Sequence, residues 1–65
     1  MSEADKMFEE LGYYKTSEKE FIIYTTELNT IEFDTENQMI YFGESWIDMD
    51  DLKAINKKVK ELGWM

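Results

Sequence analysis

The sequence predicts an α+β fold: a four-stranded antiparallel meander with an N-terminal and a C-terminal helix packed on one face, in the order α-β-β-β-β-α. Three observations carry this. Two segments, one at each end of the 65-residue chain, place apolar residues at helical spacing and then stop at a glycine. Between them, residues 13–42 change to period two and to β-branched or aromatic residues. No linker or low-complexity tract interrupts the chain, so residues 1–65 read as a single domain.

The first helix begins at Ser2, whose hydroxyl can cap it, with Asp5 at N3 completing a capping box. Ala4, Met7, Phe8 and Leu11 form its apolar stripe. Gly12 can take the left-handed position that ends a helix, and Tyr13 can then pack back on Phe8. Strands are expected at about 13–16, 20–26, 29–34 and 38–42. Ser17-Glu18-Lys19, Glu27-Leu28-Asn29 and Thr35-Glu36-Asn37 are the expected turns, with Asn37 as a left-handed residue closing a three-residue loop. The last hairpin has two registers open to it. Pairing Asp34 with Gln38 puts Ile31, Phe33, Met39 and Tyr41 on one face, whereas a slip by one substitutes Ile40 and Phe42. Both faces of 39–42 are apolar, so pattern alone does not choose between them, and the surplus suggests an apolar outer patch suited to self-association.

The second helix has the stronger signals. Asp48 suits the N-cap, Asp50 and Asp51 the first turn, and Lys57, Lys58 and Lys60 the far end. Leu52, Ile55, Val59 and Leu62 make its stripe. Gly63 suits the left-handed stop, with Trp64 folding back on Val59. The endings Glu-Leu-Gly-Tyr and Glu-Leu-Gly-Trp share a stop signal, which falls short of an internal repeat.

Composition narrows the functional classes. Fifteen acidic residues face seven lysines, for a net charge of −8. The acids concentrate before residue 53, where 14 acids and three lysines give −11; the remaining one acid and four lysines give +3. Neutralising phosphates needs the opposite sign, so direct binding of nucleic acid is not expected. Such acidity favours solubility and attraction to basic partners. There is no cysteine for a disulfide or a thiolate metal site, and no histidine. No apolar run is long enough for a signal peptide or a membrane span, so a cytoplasmic protein is the plain expectation.

Chemistry-bearing motifs are scarce. Ser2, Ser17 and Ser45 have no histidine to activate them. Asp48-Met49-Asp50-Asp51 opens like an EF-hand loop, but Leu52, Lys53 and Val59 occupy the positions that need a third ligand, a glycine and a glutamate. The expectation is therefore no catalysis, no cofactor and no metal. Lys53, Lys57, Lys58 and Lys60 read as a solvated helix face, the alternative being contact with acidic groups of the chain or of a partner.

Trp46 is the residue that points to binding. It lies in the short connection between Gly43 and Asp48, next to Ile47, which is placed to staple onto Leu52. Neighbours in an extended segment alternate, so Trp46 points away from the core and should be at least partly exposed. In a meander the turn at Glu27 lies at the same sheet edge as the end of the last strand. An acidic rim of Glu27, Glu44, Asp48, Asp50 and Asp51 is therefore expected around Trp46, suited to docking on a basic protein groove. The alternative for Trp46 is a plug in the core.

Residues 4–13, Ala-Asp-Lys-Met-Phe-Glu-Glu-Leu-Gly-Tyr, and residues 52–64, Leu-Lys-Ala-Ile-Asn-Lys-Lys-Val-Lys-Glu-Leu-Gly-Trp, bracket an Ile-x-Phe-Asp-x-x-Asn core at 31–37. In these motifs the chain resembles small uncharacterised acidic proteins encoded by bacteriophages and prophages of Gram-positive bacteria. The resemblance supplies no catalytic motif. It implies a phage origin, the cytoplasm of a bacterial host, and the habit of small acidic phage proteins of binding host machinery. Some of these imitate DNA and block nucleases or CRISPR effectors. The resulting expectation is an acidic protein that engages a basic surface of a host or phage protein, as an inhibitor of a nucleic-acid-handling or defence protein. The alternative is a non-catalytic structural or assembly protein acting as a small homodimer. Either way, a monomer or weak homodimer without membrane contact is expected.

Overall fold

A computed structural model describes residues 2–43 and 46–64. Its elements are α1 (Glu3–Glu10), β1 (Tyr14–Glu18), β2 (Phe21–Thr25), β3 (Thr30–Asp34), β4 (Met39–Phe42) and α2 (Met49–Glu61). The sheet is a four-stranded antiparallel meander in the order β1-β2-β3-β4, and both helices pack on one face of it, as the sequence predicts.

Both helices end in the same way because both carry a glycine at the position that must adopt positive φ. Gly12 (φ 93°) and Gly63 (φ 77°) let the next residue turn back, so Tyr13 N–H donates to Phe8 O at 3.0 Å and Trp64 N–H donates to Val59 O at 3.1 Å. The Tyr13 ring meets Phe8 edge-on at 5.4 Å. The Trp64 ring lies 6.3 Å from Phe33, so its partner across the core is a strand residue as well as its own helix.

The core is aromatic. Phe8 of α1 stacks on Tyr24 of β2 at 3.9 Å, and Phe33 of β3 meets Tyr24 edge-on at 5.7 Å. Ile31, Ala54, Ile55 and Val59 complete the buried cluster. On α2 the buried positions are Asp51, Ala54, Ile55, Lys58 and Val59. The stripe is therefore rotated from the Leu52-Ile55-Val59-Leu62 expectation, and Leu52 lies at its exposed margin. The rotation has a cause: the polar ends of Asp51 and Lys58 find partners on other elements, so the helix can turn these residues inward.

Lys58 pairs with Asp5 of α1 at 3.4 Å, with side-chain exposures of 8% and 11%. This corrects the solvated-face reading for Lys58 and favours its alternative, contact with an acidic group of the chain; Lys57 likewise pairs with Glu3 at 3.0 Å, while Lys53 and Lys60 are exposed. Asp5 also accepts from the Tyr24 hydroxyl at 2.5 Å and from Lys15 at 2.6 Å. Only half of the expected capping box forms at Ser2, whose Oγ accepts from the Asp5 N–H at 2.9 Å, because the Asp5 carboxylate is turned into this cluster. Burial raises the Asp5 carboxyl, but hydrogen bonds from Lys15 and Tyr24 and the charge of Lys58 outweigh it and hold the group well below the usual carboxylate range. Glu61 reaches from the last turn of α2 to accept from the Ala4 N–H at 2.9 Å, giving α1 a second cap from the far end of the chain.

Two hairpins differ from expectation. Ser17 and Glu18 remain in β1, paired with Ile22 and Phe21, and the turn is Lys19-Glu20, with Lys19 at φ 53°. A two-residue hairpin turn needs such a positive φ. In the last hairpin Asp34 pairs with Met39, and Phe33 pairs with Ile40. The one-residue slip is thus the observed register, and the left-handed residue is Gln38 (φ 55°), in place of Asn37. The cause lies in Asp34. Its carboxylate accepts from the Glu36 and Asn37 N–H groups at 3.0 and 3.1 Å and from Asn37 Nδ2 at 3.0 Å, organising a four-residue loop. Those bonds from Asn37 and Glu36 hold the Asp34 carboxyl below its ordinary value.

Candidate docking groove

Three segments converge at the pole where α1 ends and α2 begins. The α1 stop delivers Gly12, Tyr13 and Tyr14. The β2–β3 loop spans residues 26–29. There Thr26 Oγ1 accepts from the N–H groups of Leu28 and Asn29 at 3.2 and 2.9 Å, while its own N–H donates to Asn29 O at 2.8 Å. The third segment is the entry to α2. Asp48 Oδ1 accepts from the Asp51 N–H at 2.8 Å, and Asp51 Oδ2 accepts from the Asp48 N–H at 3.4 Å, a reciprocal capping box.

A polar chain ties these segments together. Asn29 Nδ2 donates to the Tyr13 hydroxyl at 3.4 Å, and that hydroxyl donates to Asp51 Oδ1 at 3.0 Å. Burial and the adjoining Asp51 carboxylate push the Tyr13 phenol up to about 12. The chain forms the base of an open groove of about 470 Å³.

Trp46 lines the groove and is 68% exposed, as expected from the alternation with Ile47, which packs against the core. Glu27, Asp48 and Asp51 line it too, so three of the five acids expected around Trp46 are brought together with it. Asp51 sits differently from expectation: it is buried, spent on the capping box and on Tyr13, and belongs to the base instead of the rim. Asp50 is exposed on the first turn of α2 but does not line the groove. Glu44 lies outside the described residues. Sequence reasoning missed Tyr14 and Leu28, both largely exposed groove residues. The available signal was an apolar residue placed in a turn, Leu28, opposite the aromatic pair that follows the first helix stop.

The groove offers exposed aromatic and aliphatic surface beside carboxylates. That combination suits a partner carrying cationic and apolar side chains, by ion pairing and by cation–π contact with Trp46. Among the described residues no group of three His, Cys, Asp or Glu side chains is placed to hold a metal ion, and no helix is long and apolar enough to cross a membrane. No family model, curated protein or solved structure matches the chain.

Proposed function

We propose that the chain is a phage-encoded acidic binding protein that engages a basic surface of a host or phage protein, and that it inhibits a nucleic-acid-handling or defence protein by occupying that surface. The observation that carries the reading is Trp46. A tryptophan left 68% exposed beside Glu27 and Asp48, on a chain of net charge −8, combines a hot-spot residue with the charge complementary to a basic protein groove that holds nucleic acid. Sequence-specific contacts are unnecessary for such a protein, since a surface built to hold phosphates attracts any well-placed array of carboxylates. The proposed location is the cytoplasm of the bacterial host.

The test is affinity capture from a Gram-positive bacterial lysate with wild-type protein and with Trp46→Ala and Glu27→Lys in parallel, followed by titration of the captured protein in purified form. The expected result is a partner whose binding weakens about 30-fold with Trp46→Ala, the ratio of a 2 kcal/mol hot spot. Binding should also fall as salt rises, and the partner's own nucleic acid should compete for it. A partner held equally well by wild type and both variants, at every salt concentration, refutes the reading.

A further inference from the structure

The face of the sheet turned away from both helices carries a second, separate surface. The observed register aligns Thr16, Ile23, Glu32 and Tyr41 in one row across all four strands, with Glu18, Phe21, Asp34 and Met39 in the neighbouring row, where the Asp34 carboxylate is taken up by the loop N–H groups of Glu36 and Asn37. Neither helix covers this face, and Met39 and Tyr41 are 49% and 43% exposed. Glu32 sits near its middle, flanked by Ile23 on β2 and Tyr41 on β4, and is itself partly buried. Among the described residues no lysine lies within ion-pair distance of it. None of the strand positions that point to this side is a lysine: Lys15 pairs with Tyr24 and shares the helix-covered side.

We infer that this face docks a short cationic amphipathic polypeptide segment, with apolar side chains laid on Ile23, Phe21, Met39 and Tyr41 and a Lys or Arg set on Glu32. Charge selects this occupant. A second copy of the chain would bring a like face, placing Glu32 against a surface without a cation and burying carboxylates uncompensated. Size points the same way. At ordinary strand spacing the face is small, with a footprint of roughly 14 by 17 Å between the axes of the outer strands. A stable interface between two folded copies needs about 800 Å² from each. A single extended or helical segment is small enough to be served by such an area, and a guanidinium there gains both the Glu32 carboxylate and the Tyr41 ring. An acidic chain repels nucleic acid and anionic membranes from the same surface. The inference is independent of the Trp46 groove, which lies at the pole of the β2–β3 loop.

The test is an NMR titration of the full chain with a short synthetic peptide of alternating valine and arginine. A counterpart with glutamate in place of arginine serves as control. Wild type, Glu32→Lys and Glu32→Gln are compared, with thermal melts confirming that each variant is folded. Saturable shifts at Ile23, Glu32, Met39 and Tyr41 are expected with the arginine peptide only. The affinity read from the shifts at Ile23, Glu32, Met39 and Tyr41 should be about tenfold weaker in Glu32→Lys and weakened to a lesser degree in Glu32→Gln. Shifts confined to residues 26–29 and 46–51 would overturn the inference, as would equal affinity for the Glu32 variants. So would a concentration-dependent dimer, without peptide, that perturbs Met39 and Tyr41.

Discussion

Replacing Asp5 by alanine removes a carboxylate that α1, α2 and the sheet share. The Tyr24 hydroxyl, on a fully buried residue, loses its acceptor, and among the described residues Lys58 keeps only Glu61 at 4.0 Å. Breaking a buried ion pair from one side costs about 3–5 kcal/mol. The 3.4 Å separation from Lys58 and the residual exposure of both side chains place the loss at the lower end, about 3 kcal/mol. Lys15, on the exposed edge strand, adds no more than about 1 kcal/mol. A domain of this size has only about 3–10 kcal/mol of stability. The melting temperature should therefore fall by about 12–24 °C. Urea denaturation of Asp5→Ala, Asp5→Asn, Lys58→Met and the Asp5→Asn/Lys58→Met double variant checks the reasoning. Asp5→Asn keeps an acceptor for Tyr24 and should cost less than alanine. Adding Lys58→Met to it should recover part of the loss, because no unpaired ammonium then remains. A cost for Asp5→Ala below about 1 kcal/mol, or strict additivity in the double variant, refutes the account. The pH dependence has a definite sign. The folded-state pKa of Asp5 is depressed, so its contribution is present above the unfolded value, about 3.9, and is lost as pH falls below that toward the folded value. Asp5→Asn should flatten this acid limb.

Trp46→Ala should change stability by no more than about 0.5 kcal/mol in thermal melts, since the ring is largely exposed; a core plug would instead lose about 3–5 kcal/mol. Gly63→Ala should cost about 1–2 kcal/mol by denaturant titration, from the positive φ alone, because nothing lies within 4 Å of the added methyl. At high pH the sign reverses for Tyr13. Its folded pKa is raised to about 12, so its contribution is complete below the unfolded value, about 10, and is lost as pH rises through the folded one. In an alkaline unfolding series Tyr13→Phe should remove the part of the loss between these values that belongs to the phenol.

The helix ends were legible because their chemistry is local. Ser2, Gly12, Asp48 and Gly63 act within a few residues of themselves, and each performs the capping role that its type and position predict. The last hairpin was not legible from its apolar pattern, since 39–42 is apolar on both faces. What decided it was Asp34, read in the sequence as the residue before a turn and found to be the acceptor that organises four loop residues. The same limit applies to Asp51 and Lys58. As single letters they resemble first-turn acid and solvated lysine, while their partners Tyr13 and Asp5 stand 38 and 53 positions away. A helical reading could have found them nonetheless: 51, 54, 55, 58, 59 and 62 form a more complete stripe than the purely apolar one. At the groove, alternation placed Trp46 correctly relative to Ile47, and topology placed Glu27 beside it. The Tyr13–Asp51 bond beneath them depends on how the two helices lie side by side, which no local pattern encodes.

The reach of Glu61 to Ala4, and of Lys58 to Asp5, bears on the order of folding. Every strand of the meander pairs with its neighbour in sequence, so the sheet can assemble through short closures. Docking α1 on α2 instead closes a loop of more than 50 residues, whose entropy must be met before the contact returns anything. This makes the helix pair a late event, formed on the native side of the barrier. Substitutions at Lys58 and Glu61 should then act chiefly on escape from the folded state, raising the unfolding rate while leaving the refolding limb of the chevron nearly in place. If the refolding limb shifts instead, the two helices meet before the sheet does.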